Sequence, residues 1–367
     1  MAKTKLSQKP LGTLKVFAIF FGTIIGAGFA SGREVYVYFA RFGGWGLIMT
    51  LLAGFTFFCL GYMFLQLGKR CQANTMSEFF KLLFGRFAPL CEILVVFSYI
   101  IVLGAMFAGF DSLQKILMEG DVLYPFIAIL SAVLCVFAVL GGLKNISRLN
   151  SILLPMVILF LAVIFVVGIL KKEHTFASFG FESSFVSMLT PFLFCIVFVC
   201  SNMFLTGFIL LKTGSETSKN VDKYAAFLTG LVLFILSFFS CLAIALNPTA
   251  INYDMPFMFL AFKVSDGFVI LSLVILWFAI FTTAVATLYT LAWWLNGFIK
   301  DFFVCTCVVC VFSFVLSRIG FTAIINVFYP LTGVMDIVFV LCAIILFVRA
   351  KKIKKTTQKP PDDRVVE

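Results

Sequence analysis

The chain has 367 residues, of which 62% are hydrophobic and only 12% charged, with a mean hydropathy of +1.12. A soluble globular domain has an apolar share nearer ~45–50%, so the composition excludes one and places the chain in a lipid bilayer. The formal charge of +11 does not signal nucleic acid, because its distribution is a positive-inside bias of short loops, and no loop is long enough for a catalytic domain.

Each helical span needs ~20 apolar residues, and the sequence supplies about ten such runs. They are read at 13–40, 45–67, 89–113, 124–142, 148–170, 185–211, 224–246, 267–298, 302–317 and 322–348. The last two are divided only at Ser317-Arg318-Ile319-Gly320. Residues 1–30 imitate a signal peptide, but Arg33 to Phe39 continue the apolar run, so the segment reads as an uncleaved first span. With the N-terminus in the cytoplasm, one face collects Lys15, Lys69, Arg70, Arg86, Lys144, Arg148, Lys212, Lys300 and the C-terminal cluster, whereas the other holds Arg33, Arg41, Lys115, Lys171, Lys172, Lys263 and Arg318. An even number of spans leaves both termini cytoplasmic.

Span one carries Gly22-Thr23-Ile24-Ile25-Gly26-Ala27-Gly28-Phe29-Ala30-Ser31-Gly32 in its middle. Glycine costs roughly 1 kcal/mol against alanine inside a helix, so this run predicts a segment that comes unwound. Broken helices at bilayer depth expose backbone groups to a solute. The same glycines also form GxxxG pairs, which serve close helix packing. Arg33 and Glu34 follow inside the span, and a charge at that depth costs on the order of 3 kcal/mol unless it faces a cavity or a partner.

Between spans two and three, Thr75-Met76-Ser77-Glu78 reads as a capping box opening a short helix. Span lengths then repeat: spans two to five recur at a nearly constant offset as spans seven to ten. An odd number of spans per half sets the halves in opposite orientations, an inverted repeat that pairs span one with span six. Span six is therefore expected to break as well, at Val199 to Met203, where Ser201 and Asn202 are poor helix-interior residues. In span eight, Ala279, Thr282 and Thr283 share one helix face. Carbonyls freed at Gly22 and Ile25, with the Ala279 carbonyl and both threonine hydroxyls, compose an oxygen cage suited to sodium. Asp336 falls near the middle of span ten and, with Glu34, is a candidate proton carrier.

The eleven cysteines are scattered through apolar spans and read as core residues. Cys305, Cys307 and Cys310 do not converge on one helix face, and His174, in a polar loop, is assigned no role. No cofactor is expected beyond a coupling ion, sodium or a proton. The partners expected are the bilayer and a small-molecule solute, with no nucleic acid; the sequence leaves oligomeric state open.

The string Gly-Thr-Ile-Ile-Gly-Ala-Gly-Phe-Ala-Ser-Gly-Arg-Glu at 22–34, with Ser201-Asn202 and Tyr329-Pro330-Leu331-Thr332-Gly333, resembles the YkvI-like bacterial membrane proteins of the amino acid-polyamine-organocation superfamily. The resemblance implies an all-α membrane protein with the LeuT-type fold, five plus five inverted spans and broken helices one and six. It implies one transmembrane domain over 1–348, with a first repeat at 13–170 and a second at 185–348, and a disordered basic cytoplasmic tail at 349–367. It further implies sodium between spans one and eight, at Gly22, Ile25, Ala279, Thr282 and Thr283. The amides of Gly26, Ala27 and Gly28 would meet an anionic group of the solute, with Ser201 and Asn202 opposite and Tyr99 and Met106 as walls. The function so implied is secondary transport of an amino acid or related solute across the cell membrane, not catalysis; a non-transporting nutrient sensor, like spore-germination receptor subunits, is the alternative on the same fold.

Overall fold

The computed structural model describes residues 11–71, 80–82, 84–118, 120, 124–140, 143–174, 185–218 and 220–357. The proposed capping box at 75–78 and the end of the tail at 358–367 lie outside the described residues.

Every stretch read as a span is helical. The first is divided into α1 (Thr13–Ile24), α2 (Ala27–Ala30) and α3 (Arg33–Tyr38). There follow α4 (Gly43–Cys71), α5 (Ala88–Leu117), α6 (Phe126–Leu140), α7 (Leu143–Leu170), α8 (Phe185–Ser215) and α9 (Val221–Ala245). The short α10 (Pro256–Phe262) leads into α11 (Asp266–Ile299) and α12 (Phe302–Leu316). The last span opens with α13 (Phe321–Ala323), passes through a π-helical turn at Ile324–Phe328, and ends as α14 (Tyr329–Thr357). Among the described residues seven helical stretches, one of them Arg33–Arg70 running through α3 and α4, are long and apolar enough to cross a membrane, while α1, α6 and the apolar part of α7 are shorter. The chain is a multi-pass membrane protein.

Helix is the only answer this composition allows, since a bilayer offers backbone N–H and C=O groups no partner outside the segment itself. Two sets of helices result. One gathers α1, α4, α8, α9 and α14; the other gathers α5, α6, α7, α11 and α12, and the interrupted first span lies between them, α1 against α8 and α9, α2 against α11. Helix starts at Gly43, Ala88 and Phe126 recur at Val221, Asp266 and Phe302, the spacing that the repeat anticipated. The division of the last two spans is also present, as a 3-10 turn at Ser317–Ile319 closed by Gly320 at φ +96°.

Two expectations are corrected. Span six does not break: α8 runs from Phe185 to Ser215 as one helix. The physical reason is local, for Asn202 Nδ2 donates to the Phe198 carbonyl at 2.9 Å, which quiets its polarity inside the helix, and no glycine stands at 199–203. Irregularity falls instead on span ten, where Pro330 has no N–H to return to the Asn326 carbonyl and the preceding turn widens to π geometry. The second correction concerns the tail, since α14 continues through Thr357 and the basic run Lys351–Lys355 is helical, as lysine's helix propensity permits.

The α4–α8 seam depends on glycine. A Cβ at Gly68 would stand 2.0 Å from the Leu211 carbonyl oxygen, and one at Gly214 would stand 2.1 Å from that of Leu65. Backbone cannot yield as a side chain does, so Gly68→Ala and Gly214→Ala are each expected to destabilise by about 1–3 kcal/mol or more. Gly267, with open space around it, is the control: its alanine variant is expected to change stability by no more than ~0.5 kcal/mol. Thermal unfolding in detergent distinguishes them, and equal effects at 68 and 267 would contradict the packing described.

Candidate functional site

α1 stops because Ile25 leaves helical geometry (φ −76°, ψ 81°) and Gly26 is fully extended (φ −96°, ψ −170°). The Gly26 N–H donates to the Ile24 carbonyl at 2.8 Å, not to the Gly22 carbonyl that a continuing helix would use. The second interruption is at Gly32, whose φ of +83° suits glycine. Ser31 closes that turn by donating through Oγ to the Gly28 carbonyl at 3.0 Å, and its own carbonyl accepts from the Phe257 N–H at 3.0 Å.

The break lies directly beside α11. A Cβ at Gly26 would come within 3.4 Å of Thr283 Oγ1. Thr283 and Thr282 donate to the Ala279 carbonyl at 3.0 and 3.2 Å, so each hydroxyl keeps its lone pairs for another partner. Thr287, one turn further, donates to the Thr283 carbonyl at 2.8 Å. Ile25, Ala279 and Thr282 are buried and Gly22 is half-buried; the packing of α2 against α11 brings the break at Gly26 beside Thr283. Such a set of neutral oxygens fits a small hard cation.

The solute side of the site is arranged differently from the expectation. A cavity of about 30 Å³ is lined by Glu34 and Tyr38 from α3, Ser98 and Val102 from α5, Ser201, Asn202, Phe204 and Leu205 from α8, and Tyr329, Thr332 and Asp336 from α14. It is sized for about one or two waters. The solute candidates Ser201 and Asn202 and the proton-carrier candidates Glu34 and Asp336 share this one cavity; Tyr99 and Met106 are not in the lining. Tyr99 turns its hydroxyl to the Leu205 carbonyl at 3.3 Å and its ring edge to Phe204, and Met106 is buried in the core. Their neighbours Ser98 and Val102 form that wall.

Gly28 is the larger correction. A Cβ there would fall 2.1 Å from Glu34 Oε1 and 2.6 Å from its Cγ. The missing side chain makes room for the protein's own carboxyl group. Sequence reading also missed Tyr38, Tyr329 and Thr332. The signal for Tyr38 was its spacing from Glu34, since residues four apart share a helix face.

Arg33 does not face this cavity. Its Nε donates to Asn326 Oδ1 at 3.2 Å and its Nη1 to the Ile251 and Tyr253 carbonyls at 3.2 and 3.4 Å, tying α3 to the π turn and to the chain before α10. A second cavity of about 130 Å³ shares Ser98, Phe204 and Asp336 with the first and runs past Cys91, Leu94 and Val95 to Phe80 and Phe84. That direction leads to the end of the molecule where Lys69 is held by Asp222 at 2.7 Å.

This arrangement is the LeuT-type fold. The structure matches that of Mhp1, a nucleobase-cation-symport-1 family transporter closed around bromovinylhydantoin, with TM-score 0.62 over 97% of this chain and 95% of that one at 14% identity. It matches MhsT in complex with L-phenylalanine at TM-score 0.64, 16% identity and 93% and 89% coverage, and a Na+-coupled sialic acid symporter at 0.63, 13% identity and 91% and 79% coverage. In sequence the chain is similar to the uncharacterized membrane protein YkvI of Bacillus subtilis (strain 168), 25% identical over 88% of this chain and 92% of the relative. It is also similar to the uncharacterized protein YyaD of the same organism, 23% identical over 92% and 98%. No family model matches the chain.

The contact of Gly28 with Glu34 has a measurable consequence. Gly28→Ala is expected to destabilise by about 1–3 kcal/mol through the overlap with the carboxyl, and the double variant with Glu34→Ala to lose less than the sum of the single losses. Thermal unfolding of the four proteins closes the cycle; strict additivity would mean that the two residues do not press on one another.

Proposed function

We propose that the protein is a secondary active transporter of a small organic solute of the amino acid class, working by alternating access and coupled to sodium or protons. The observation that carries this reading is the buried interruption at Ile25–Gly26 against Ala279, Thr282 and Thr283. Released backbone carbonyls beside two hydroxyls supply oxygen ligands at bilayer depth, where nothing but function or cost accounts for them. The Na+-coupled sialic acid symporter of the same fold supports sodium as the coupling ion. A central cavity adjoining a second, larger one supports a solute-binding role for the middle of the fold. The expected location is the cell membrane, with the end bearing Lys69, Arg70 and Lys300 in the cytoplasm by the positive-inside bias.

The test is uptake of labelled amino acids and related solutes into proteoliposomes, with and without an inward sodium gradient. Thr283→Ala removes one oxygen ligand and is expected to weaken sodium dependence by about tenfold or more, whereas Thr287→Ala is expected to matter far less. Equal effects of the two would move the ion site away from α11. Uptake driven by a pH gradient and indifferent to sodium would assign coupling to Glu34 or Asp336.

A further inference from the structure

Glu34 on α3 and Asp336 on α14 line the same cavity of about 30 Å³, and among the described residues its lining contains no lysine, arginine or histidine. Among the described residues neither carboxyl has an ion-pair partner. Arg33, the nearest cation in sequence, is engaged elsewhere by Asn326 and two backbone carbonyls. A second observation points to a ligand independently of the acids. Tyr38 lines the cavity at 1% exposure, and its hydroxyl is buried without a hydrogen-bond partner. Asn202 uses its N–H on the Phe198 carbonyl, which leaves its amide oxygen as an acceptor on the same wall.

We propose that this cavity is a subsite for the protonated primary amine of the solute, held between the Glu34 and Asp336 carboxyls with the Tyr38 hydroxyl as a further acceptor. The inference rests on the transporter reading and names the chemical group that the site reads. An alkylammonium head is a compact point charge with three donors and no acceptor, the complement of two carboxyls flanked by hydroxyl and amide oxygens that can accept. Its size suits a water-scale cavity, whereas a planar guanidinium is too broad. A carboxylate placed there would meet two acids and no cation, so the solute's recognised end is its amine. Solutes that keep the amine and lose the carboxylate remain ligands; solutes that lose the amine do not.

The experiment compares three probes of one carbon skeleton, n-butylammonium, n-butyrate and n-butanol, as thermal stabilisers of the full-length protein in sodium-free detergent buffer at matched ionic strength. The expected result is dose-dependent stabilisation by n-butylammonium alone. Glu34→Gln and Asp336→Asn are each expected to raise the concentration needed by about tenfold or more, with ligand-free melting and size-exclusion profiles confirming that they fold. Tyr38→Phe, which keeps the ring, is expected to weaken the effect to a smaller degree and serves where a carboxyl variant fails to fold. Stabilisation by n-butyrate, by all three probes or by none would overturn the proposal. So would an ammonium effect unchanged in the variants that fold, or the same stabilisation by sodium chloride alone, which would make the cavity an inorganic cation site. The readout is binding, so its failure leaves the uptake result standing, and failure of uptake is read separately.

Discussion

Everything in this molecule answers to one constraint: in a bilayer, backbone N–H and C=O groups find partners inside the protein or not at all. The interruption at Ile25–Gly26 is tolerated because α11 stands against it, with Thr283 close to Gly26 and the Ala279 carbonyl bonded by both threonines. The second interruption is answered in the same way, the Ser31 carbonyl by Phe257 N–H and the Arg33 guanidinium by three oxygens from two other segments. A broken helix here is therefore a junction, and α10, α11 and the π turn are held to it.

That junction also explains the placement of charge. A buried carboxyl is costly unless its surroundings compensate it, and the fold buries Glu34 and Asp336 toward one small shared space while directing Arg33 away from it. Elsewhere charges are paired near the ends of the helices: Lys69 and Gln66 with Asp222, Lys263 with Glu173 and Asn247. The end pairs join neighbouring helices without crossing the apolar middle. The central acids are left facing a cavity, which is the property a solute site requires.

Movement is confined by the same packing. Glycines at 68 and 214 bring α4 and α8 to backbone contact, and Gly54 and Gly230 do the same for α4 and α9, so these helices pack as one tight group. The first span has two irregular joints, and the last has a π turn beside Pro330. Both irregular segments border the central cavity, through α3 after Gly32 and α14 after the π turn.

Much of this was legible in the residues. Hydropathy set the apolar segments, and the glycine run before Arg33 and Glu34 contains both interruptions of the first span, because glycine and intramembrane charge are costly unless used. The Ala279, Thr282 and Thr283 face was readable from helical periodicity alone. Span six was misread because Ser201 and Asn202 carry the same composition whether a helix breaks or the side chain bonds within it; only the Asn202 to Phe198 geometry decides. Likewise Gly28 in sequence is an absent side chain without an occupant, and the occupant, Glu34, is set by how the turn at Gly32 folds α3 back toward α2. The sequence by itself determined where helices are possible and where they are costly, since those are properties of short stretches and their solvent. Which polar groups share a cavity, and which are satisfied elsewhere, depends on contacts between segments hundreds of residues apart, and that only the tertiary structure decided.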